Sequence, residues 1–473
     1  MAFRSLAITA LSTFTVVAAH AATDPTYHAM ARDIFKELIE INTTDSVGNV
    51  TTASEAMAKR LLAAGFAPQD VQILGPSETK KNLVVRLHGT GKHKPVLLIG
   101  HLDVVEARRE DWTTDPFKFV EQDGYFYGRG TTDMKDGDAI MVTTLIRLKQ
   151  EGYKPSRDVI LALTAGEETG VANGVEWLLK NHRELVDAEF VLNHDGNSVL
   201  SENGKPLRYE LYATEKVYAD YLLTALNRGG HSSLPRPDNA IYELVDSLKR
   251  LAAYQFPFEL NDITRAYYER MSTIETGQRA VDMRGILQTP PDAAALERLS
   301  QNPRDNSTVR TTCVATRLNG GHANNALPQE AHATVNCRIL PGHTPEETRQ
   351  ALLKVLADPE IKVQYLDVDG TALDTAPGGA GYPPPKLLPQ VMQPLEKLVK
   401  ETWPTIKVIP AMTQGASDGV FTMAAGLPTY EVTGIDLDAN DVRAHGKDER
   451  IRVESYTLGV DFFYRYLKAV TAK

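Results

Sequence analysis

Five side chains able to share two metal ions are scattered along this 473-residue chain. Asp133 sits in the glycine-punctuated loop Gly128-Arg129-Gly130-Thr131-Thr132-Asp133-Met134-Lys135-Asp136-Gly137, ahead of a helix-like run over residues 138–152. A lone carboxylate there can bridge two cations; capping the following helix is the plainer use of an acid in that position. His101 closes the apolar run 95–99, and Asp103 follows two residues on. In an extended chain residues i and i+2 face the same way. Asp103 is therefore expected to accept a hydrogen bond from the His101 ring nitrogen that is not on metal, which fixes the tautomer. Glu167 and Glu168 come after the strand-like run 158–163, inside Gly166-Glu167-Glu168-Thr169-Gly170. Adjacent side chains diverge, so one carboxylate can hold metal while the other stays free to move a proton. Asp195 follows the run 188–192, and His445 lies in Arg443-Ala444-His445-Gly446-Lys447-Asp448-Glu449.

Taken singly, each of these residues has an ordinary structural explanation. Taken together they balance. Two divalent cations bring four positive charges; Asp133, Glu168 and Asp195 return three, and a bridging hydroxide the fourth. Two histidines and three carboxylates suit zinc, with cobalt or manganese as alternatives. Two such ions ~3.5–4 Å apart can clamp a carbonyl and generate hydroxide near neutral pH.

The elements that must position these residues can be read in outline. Residues 29–65 have helical periodicity. Runs 82–87, 95–99, 158–163 and 188–192 read as buried strands, with helix-like stretches at 138–152 and 171–180 between them. That alternation argues for an α/β layer with ligands at the strand ends. From about residue 214 the pattern changes. Strand-like 218–226, 309–317, 330–339 and 361–368 and helix-like 241–254 and 344–356 form a separate α+β unit. The stretch 255–307 is poorly periodic. A Pro/Gly-rich linker, 376–385, leads back to the first unit. The expected division is residues 22–213 and 376–473 for a catalytic domain and 214–375 for an inserted unit.

Other features bound the function. A net charge of −10 lends no support to nucleic-acid binding. Beyond the N-terminus no apolar run reaches the length of a membrane span. The N-terminus has a charged start at Arg4, an apolar run over 6–17 and small residues at Ala18, Ala19, Ala21 and Ala22. Residues 1–21 read as a secretory signal peptide, and the mature chain as exported, periplasmic or secreted. The two cysteines, Cys313 and Cys337, lie in strand-like stretches. One bridge across neighbouring strands and two buried thiols both fit, and neither cysteine has thiolate metal-site spacing.

The segments Gly100-His101-Leu102-Asp103-Val104-Val105, the loop 128–137, Gly166-Glu167-Glu168, Asp195, Gly229-Gly230-His231-Ser232-Ser233 and His445-Gly446 together resemble a zinc-hydrolase family. That family includes acetylornithine deacetylase, succinyl-diaminopimelate desuccinylase, aminoacylase, carboxypeptidase G and the yeast Gly-X carboxypeptidase. The resemblance implies a zinc-peptidase catalytic domain with a mixed sheet flanked by helices, carrying an inserted α+β, ferredoxin-like lid that often dimerises. It implies that Asp133 bridges the metals, that His101 and Asp195 hold one, and that Glu168 and His445 hold the other. Glu167 falls on the general base and His231 on a histidine that helps hold the oxyanion. Asn325 and Arg338 fall on lid residues that hold the substrate carboxylate, for which the planar fork of arginine is suited. The chain departs from the family in lacking the acid many members place before Asp195, and in its longer lid. The implied activity is metal-dependent hydrolysis of a small peptide or N-acyl amino acid with a free carboxylate. Carboxypeptidase is the leading reading; aminoacylase, dipeptidase or aminopeptidase action and a non-catalytic binding protein on the same fold are the alternatives.

Overall fold

The structure is a computed structural model that describes residues 24–472 except 197, 379–380 and 384–385. The signal peptide expected over residues 1–21 lies outside the described residues. The helical pattern over 29–65 resolves into two helices, Pro25–Glu40 and Val50–Ala63. Between them, Asn42 accepts from both the backbone N–H and the hydroxyl of Thr44 (3.0 and 2.8 Å), and Asn49 caps the second helix through Thr52 N (3.2 Å). Short polar side chains that satisfy backbone groups locally end one helix and start the next.

The first unit is built on a ten-stranded sheet. At its centre Val96–His101 lies parallel to both Val159–Thr164 and Phe190–Asn193, which in turn is parallel to Thr429–Glu431. Strands Val71–Leu74 and Asn82–Leu87 add antiparallel on one side, so the sheet is mixed. The central strands are buried on both faces and therefore read as unbroken apolar runs. Helix Lys135–Gln150 is buried along most of its length, between the sheet and helices Pro25–Glu40 and Val453–Val470. Gly100 permits this approach: a Cβ there would run into the Asp138 carboxylate and lie 2.7 Å from Met141 Cε.

The second unit has a five-stranded antiparallel sheet. Its spatial order is Thr312–Gly320, Glu330–Ile339, Val217–Leu226, Ile361–Leu366, Ala372–Leu373. Helices Ala240–Ala253 and Pro345–Leu356 cover one face, giving the ferredoxin-like order of strands and helices. Cys313 and Cys337 are directly opposite across two of these strands and form a disulfide. The stretch 255–307, aperiodic in sequence, holds four helices: Asp262–Met271, Gly277–Ile286, Ala293–Ser300 and Pro303–Thr308. At 6 to 10 residues each, they are too short for a helical period to show. They enclose their own core of Tyr268, Met271, Met283 and Ile286, closed against Ile409 and Ala411 of the first unit.

Candidate metal centre

Parallel pairing is what gathers the site. Three adjacent parallel strands end at the same edge of the sheet, and their C-terminal ends deliver His101, the Glu167–Glu168 turn and Asp195. Ligands collect at this edge in open α/β sheets. Asp133 arrives from the loop ahead of helix Lys135–Gln150, and His445 from a loop late in the chain.

The side chains converge as two overlapping groups: His101, Asp133 and Asp195; and Asp133, Glu168 and His445. Within each group the ligand atoms lie within 4.8 Å of one another, and Asp133 belongs to both. Its Oδ1 is 3.2 Å from His101 Nε2, and its Oδ2 is 2.8 Å from His445 Nε2. Glu168 Oε2 is 3.1 Å from His445 Nε2. Glu167 is a member of neither group, and its Oε2 stands 4.0 Å from His101 Nε2.

Asp103 does something other than expected. The His101 Nδ1–H donates to the main-chain oxygen of Asp103 (3.0 Å), while the nearer Asp103 carboxylate oxygen is 3.8 Å away. The chain leaves the strand at His101, so the carbonyl reaches the ring first. The tautomer is still fixed, with Nε2 left as the free lone pair. The Asp103 carboxylate instead accepts from the backbone N–H groups of Glu167 (3.3 Å) and Glu168 (3.1 Å) and holds their turn. Gly166, at φ +80°, opens that turn, and a Cβ there would lie 2.8 Å from the Val171 carbonyl oxygen.

The electrostatics fit a cation-binding centre. Burial and the neighbouring Asp133 carboxylate push Asp195 up to about 7. Burial likewise pushes Asp418 up to about 6, although Asn173 donates to it at 2.6 Å and Thr164 at 3.1 Å. Glu167 is held well above the ordinary carboxylate range, by burial first and by Asp195 and other acids next, against the opposing pull of His101. Hydrogen bonds to Asp133 and Glu168 push His445 up to about 10. For His101, burial opposes the charged ring, but the Asp133 carboxylate at its edge and Glu167 outweigh it and hold the ring well above its ordinary range. So many buried acids around two imidazoles call for positive charge. Two buried atoms of candidate ligands, His101 Nε2 and Glu168 Oε1, have no aligned hydrogen-bond partner among the described residues. Such atoms are costly unless something receives them. Two imidazoles and three carboxylates are a donor set that fits divalent cations of the zinc type.

Residues 97–469 match the peptidase family M20/M25/M40. The chain belongs to that family. It is accordingly a hydrolase of the metallopeptidase and amide-hydrolase kind. It is 27% identical over 395 residues to the probable carboxypeptidase S-like 2 of Dictyostelium discoideum, covering 79% of this chain and 71% of that protein. It is 28% identical over 383 residues to the N-fatty-acyl-amino acid synthase/hydrolase PM20D1 of Xenopus tropicalis, covering 79% and 72%. Its fold matches the M20 family metallo-carboxypeptidase Sso-CP2 from Sulfolobus solfataricus with a TM-score of 0.69 at 17% identity, over 94% of this chain and 99% of that one.

The lid residues named from sequence stand apart from this cluster. His231 pairs with Ala326 in a two-stranded ladder, and the Ser232 N–H donates to the Asn325 carbonyl (3.0 Å), which brings His231 and Asn325 together. The His231 ring is exposed and hydrogen-bonded to Ser233 Oγ (2.7 Å). Arg338 is half-buried, with its guanidinium 4.6 Å from the centre of the Tyr218 ring. Among the described residues, none of the three makes a hydrogen bond or ion pair to the five ligands, and no carboxylate pairs with Arg338. Two residues beside the ligands, absent from the sequence-based site, are Asp418 and Glu449. Asp418 lies just before the short helix Gly419–Ala424. Glu449 sits in a run of charges with no distinguishing signal.

Proposed function

We propose that this chain is an exported two-metal carboxypeptidase that releases the C-terminal residue of small peptides. The observation that carries the reading is the pair of ligand groups sharing Asp133, with the spare carboxylate of Glu167 beside them. His101 and Asp195 would hold one zinc-type ion, Glu168 and His445 the other, and Asp133 both. Such ions, when bound, supply Lewis acidity toward an amide carbonyl and a nucleophile at neutral pH.

The chain's own residues supply the rest. Glu167 is half-buried with its carboxylate 4.0 Å from His101 Nε2, and its high proton affinity matches a group that takes a proton from the attacking water and gives it to the leaving amine. Asp103 keeps Glu167 and Glu168 in register by holding both backbone N–H groups. Arg338, without a carboxylate partner among the described residues, receives the substrate carboxylate together with Asn325. His231 donates to the oxyanion as charge develops there. Closure of the lid over the sheet edge would bring these groups to the substrate.

Export is supported by the sequence of residues 1–21 and by the Cys313–Cys337 disulfide, since disulfides persist in oxidising compartments. A homodimer through the lid is supported by the exposed edge strand Thr312–Gly320, where Val314 and Leu318 are each about 60% exposed. The likeness to an N-fatty-acyl-amino acid synthase/hydrolase favours one second reading, cleavage of N-acyl amino acids at the same centre. Both readings are tested with dipeptides, N-acetyl amino acids and C-terminally amidated peptides. Release of free amino acids from the first group, and no turnover of the amides, supports the carboxypeptidase. Faster cleavage of the N-acyl substrates would transfer the assignment to the acylase.

A further inference from the structure

The two cation-binding groups are held in different ways. His101 ends one central strand and Asp195 lies two residues beyond another, and the His101 side chain is only 2% exposed. Glu168 is fixed through Asp103. The His445 side chain, by contrast, is 54% exposed, so packing does not place its ring. Its backbone sits at φ +62°, in the left-handed region where a residue with a Cβ needs support.

That support comes through Arg129 and its partner Glu449, whose side chain is 0% exposed. One carboxylate oxygen accepts from Thr132 N (2.7 Å) and Thr132 Oγ1 (3.1 Å), next to Asp133. The other accepts from Gly130 N (3.2 Å) and from Arg129 Nη1 (2.6 Å). The second terminal nitrogen of Arg129 then crosses to the other loop, donating to the carbonyls of His445 (3.4 Å) and Gly446 (3.1 Å). The Arg129 guanidinium also lies 5.1 Å from the centre of the Trp112 ring. A carboxylate from the His445 loop thus holds the Asp133 loop, and a guanidinium from the Asp133 loop holds the His445 loop.

We infer that Arg129 and Glu449 are positioning residues that lock the Asp133 and His445 loops into one unit and so set the affinity of the cation held by Glu168 and His445. The inference rests on the two-cation reading of the centre. Without the clamp, the other cation keeps His101 and Asp195, whose placement does not depend on it, and is touched only through the shared Asp133. The cation that needs His445 then depends on a loop that has lost the hydrogen bonds to its His445 and Gly446 carbonyls and is left with the ties of Asp448 to Thr113 N (2.8 Å) and Oγ1 (2.9 Å) and of the Glu449 carbonyl to Gly128 N (3.2 Å). The planar fork of arginine is required, because one guanidinium must reach the Glu449 carboxylate and two carbonyls at once.

The test is a stepwise zinc titration of the full mature chain against a chelator, with metal counted by elemental analysis. The variants are Glu449→Gln and Arg129→Lys, with Thr132→Val as a milder change that removes one hydrogen bond to Glu449. The unfolding midpoint of each metal-free protein is recorded alongside. The wild type is expected to bind two ions. Glu449→Gln and Arg129→Lys should weaken one ion by about 10- to 100-fold, the usual range for residues that orient a ligand, and the other, which depends on the clamp only through Asp133, clearly less. Thr132→Val should show the same selectivity at smaller amplitude, even where the stronger variants do not fold. Equal weakening of both ions, or of neither, in a wild type that binds two would overturn the clamp alone. A wild type that binds fewer than two would overturn the two-cation reading and the clamp with it.

Discussion

Raising the pH from 5.5 to 6.5 should tighten loading of the two cations by about a thousandfold, taken as the product of both association constants. Cations compete with the protons held on their ligands, so affinity rises with pH. In the cation-free centre Asp195 is pushed up to about 7, His445 up to about 10 and His101 well above its ordinary range. At pH 6 all three therefore carry a proton, and loading must expel about three. Each expelled proton is worth about 1.4 kcal/mol per pH unit, so three give about 4 kcal/mol, or about a thousandfold. The same ligands in their ordinary ranges would hold about one and a half protons at pH 6, all on the imidazoles, and give only about a thirtyfold change. Chelator-buffered zinc at pH 5.5, 6.0 and 6.5 reads the slope. Calorimetry in buffers of different ionisation enthalpy counts the protons directly. A change of thirtyfold or less would refute the argument that burial and mutual contact keep these ligands protonated until cations arrive.

Replacing Glu167 by Gln should lower kcat by about 10²- to 10⁴-fold, the range for loss of a general base, while both ions stay bound; near-normal turnover in the metal-replete variant would remove that role. Arg338→Ala should raise KM for substrates with a free carboxylate and barely change turnover of amidated ones, and an equal effect on both would show that Arg338 does not bind the carboxylate. The Cys313–Cys337 bridge closes a loop with a sequence separation of 24, for which the chain-entropy estimate is about 3.5 kcal/mol. Urea unfolding of the Cys313→Ser/Cys337→Ser double variant should show a loss of that order, and an unshifted midpoint would mean the bridge does not stabilise the lid.

The candidate ligands His101, Glu168 and Asp195 are legible because each comes just after an apolar run suited to a buried strand. Their convergence is not, since it depends on which strands pair, and the parallel pairing of Val96–His101 with two strands at once is a tertiary outcome. The i, i+2 rule brought Asp103 near His101 but sent its carboxylate to the wrong partner, because the strand ends at His101 and the direction of the chain changes there. Glu449 reads as one more charge in the run from Arg443, and only packing against the Asp133 loop makes it a buried acceptor of four hydrogen bonds. The four helices between residues 262 and 308 were illegible because helices so short leave no period to count.

The central claim is that this chain is a two-cation hydrolase acting on free-carboxylate peptides. The most direct measurement is zinc content per chain together with hydrolysis of dipeptides before and after chelation. The account predicts about two ions per chain, with release of free amino acids that stops on chelation and returns when zinc is restored. A chain that holds no metal and cleaves nothing, or one whose hydrolysis survives complete chelation, would contradict it.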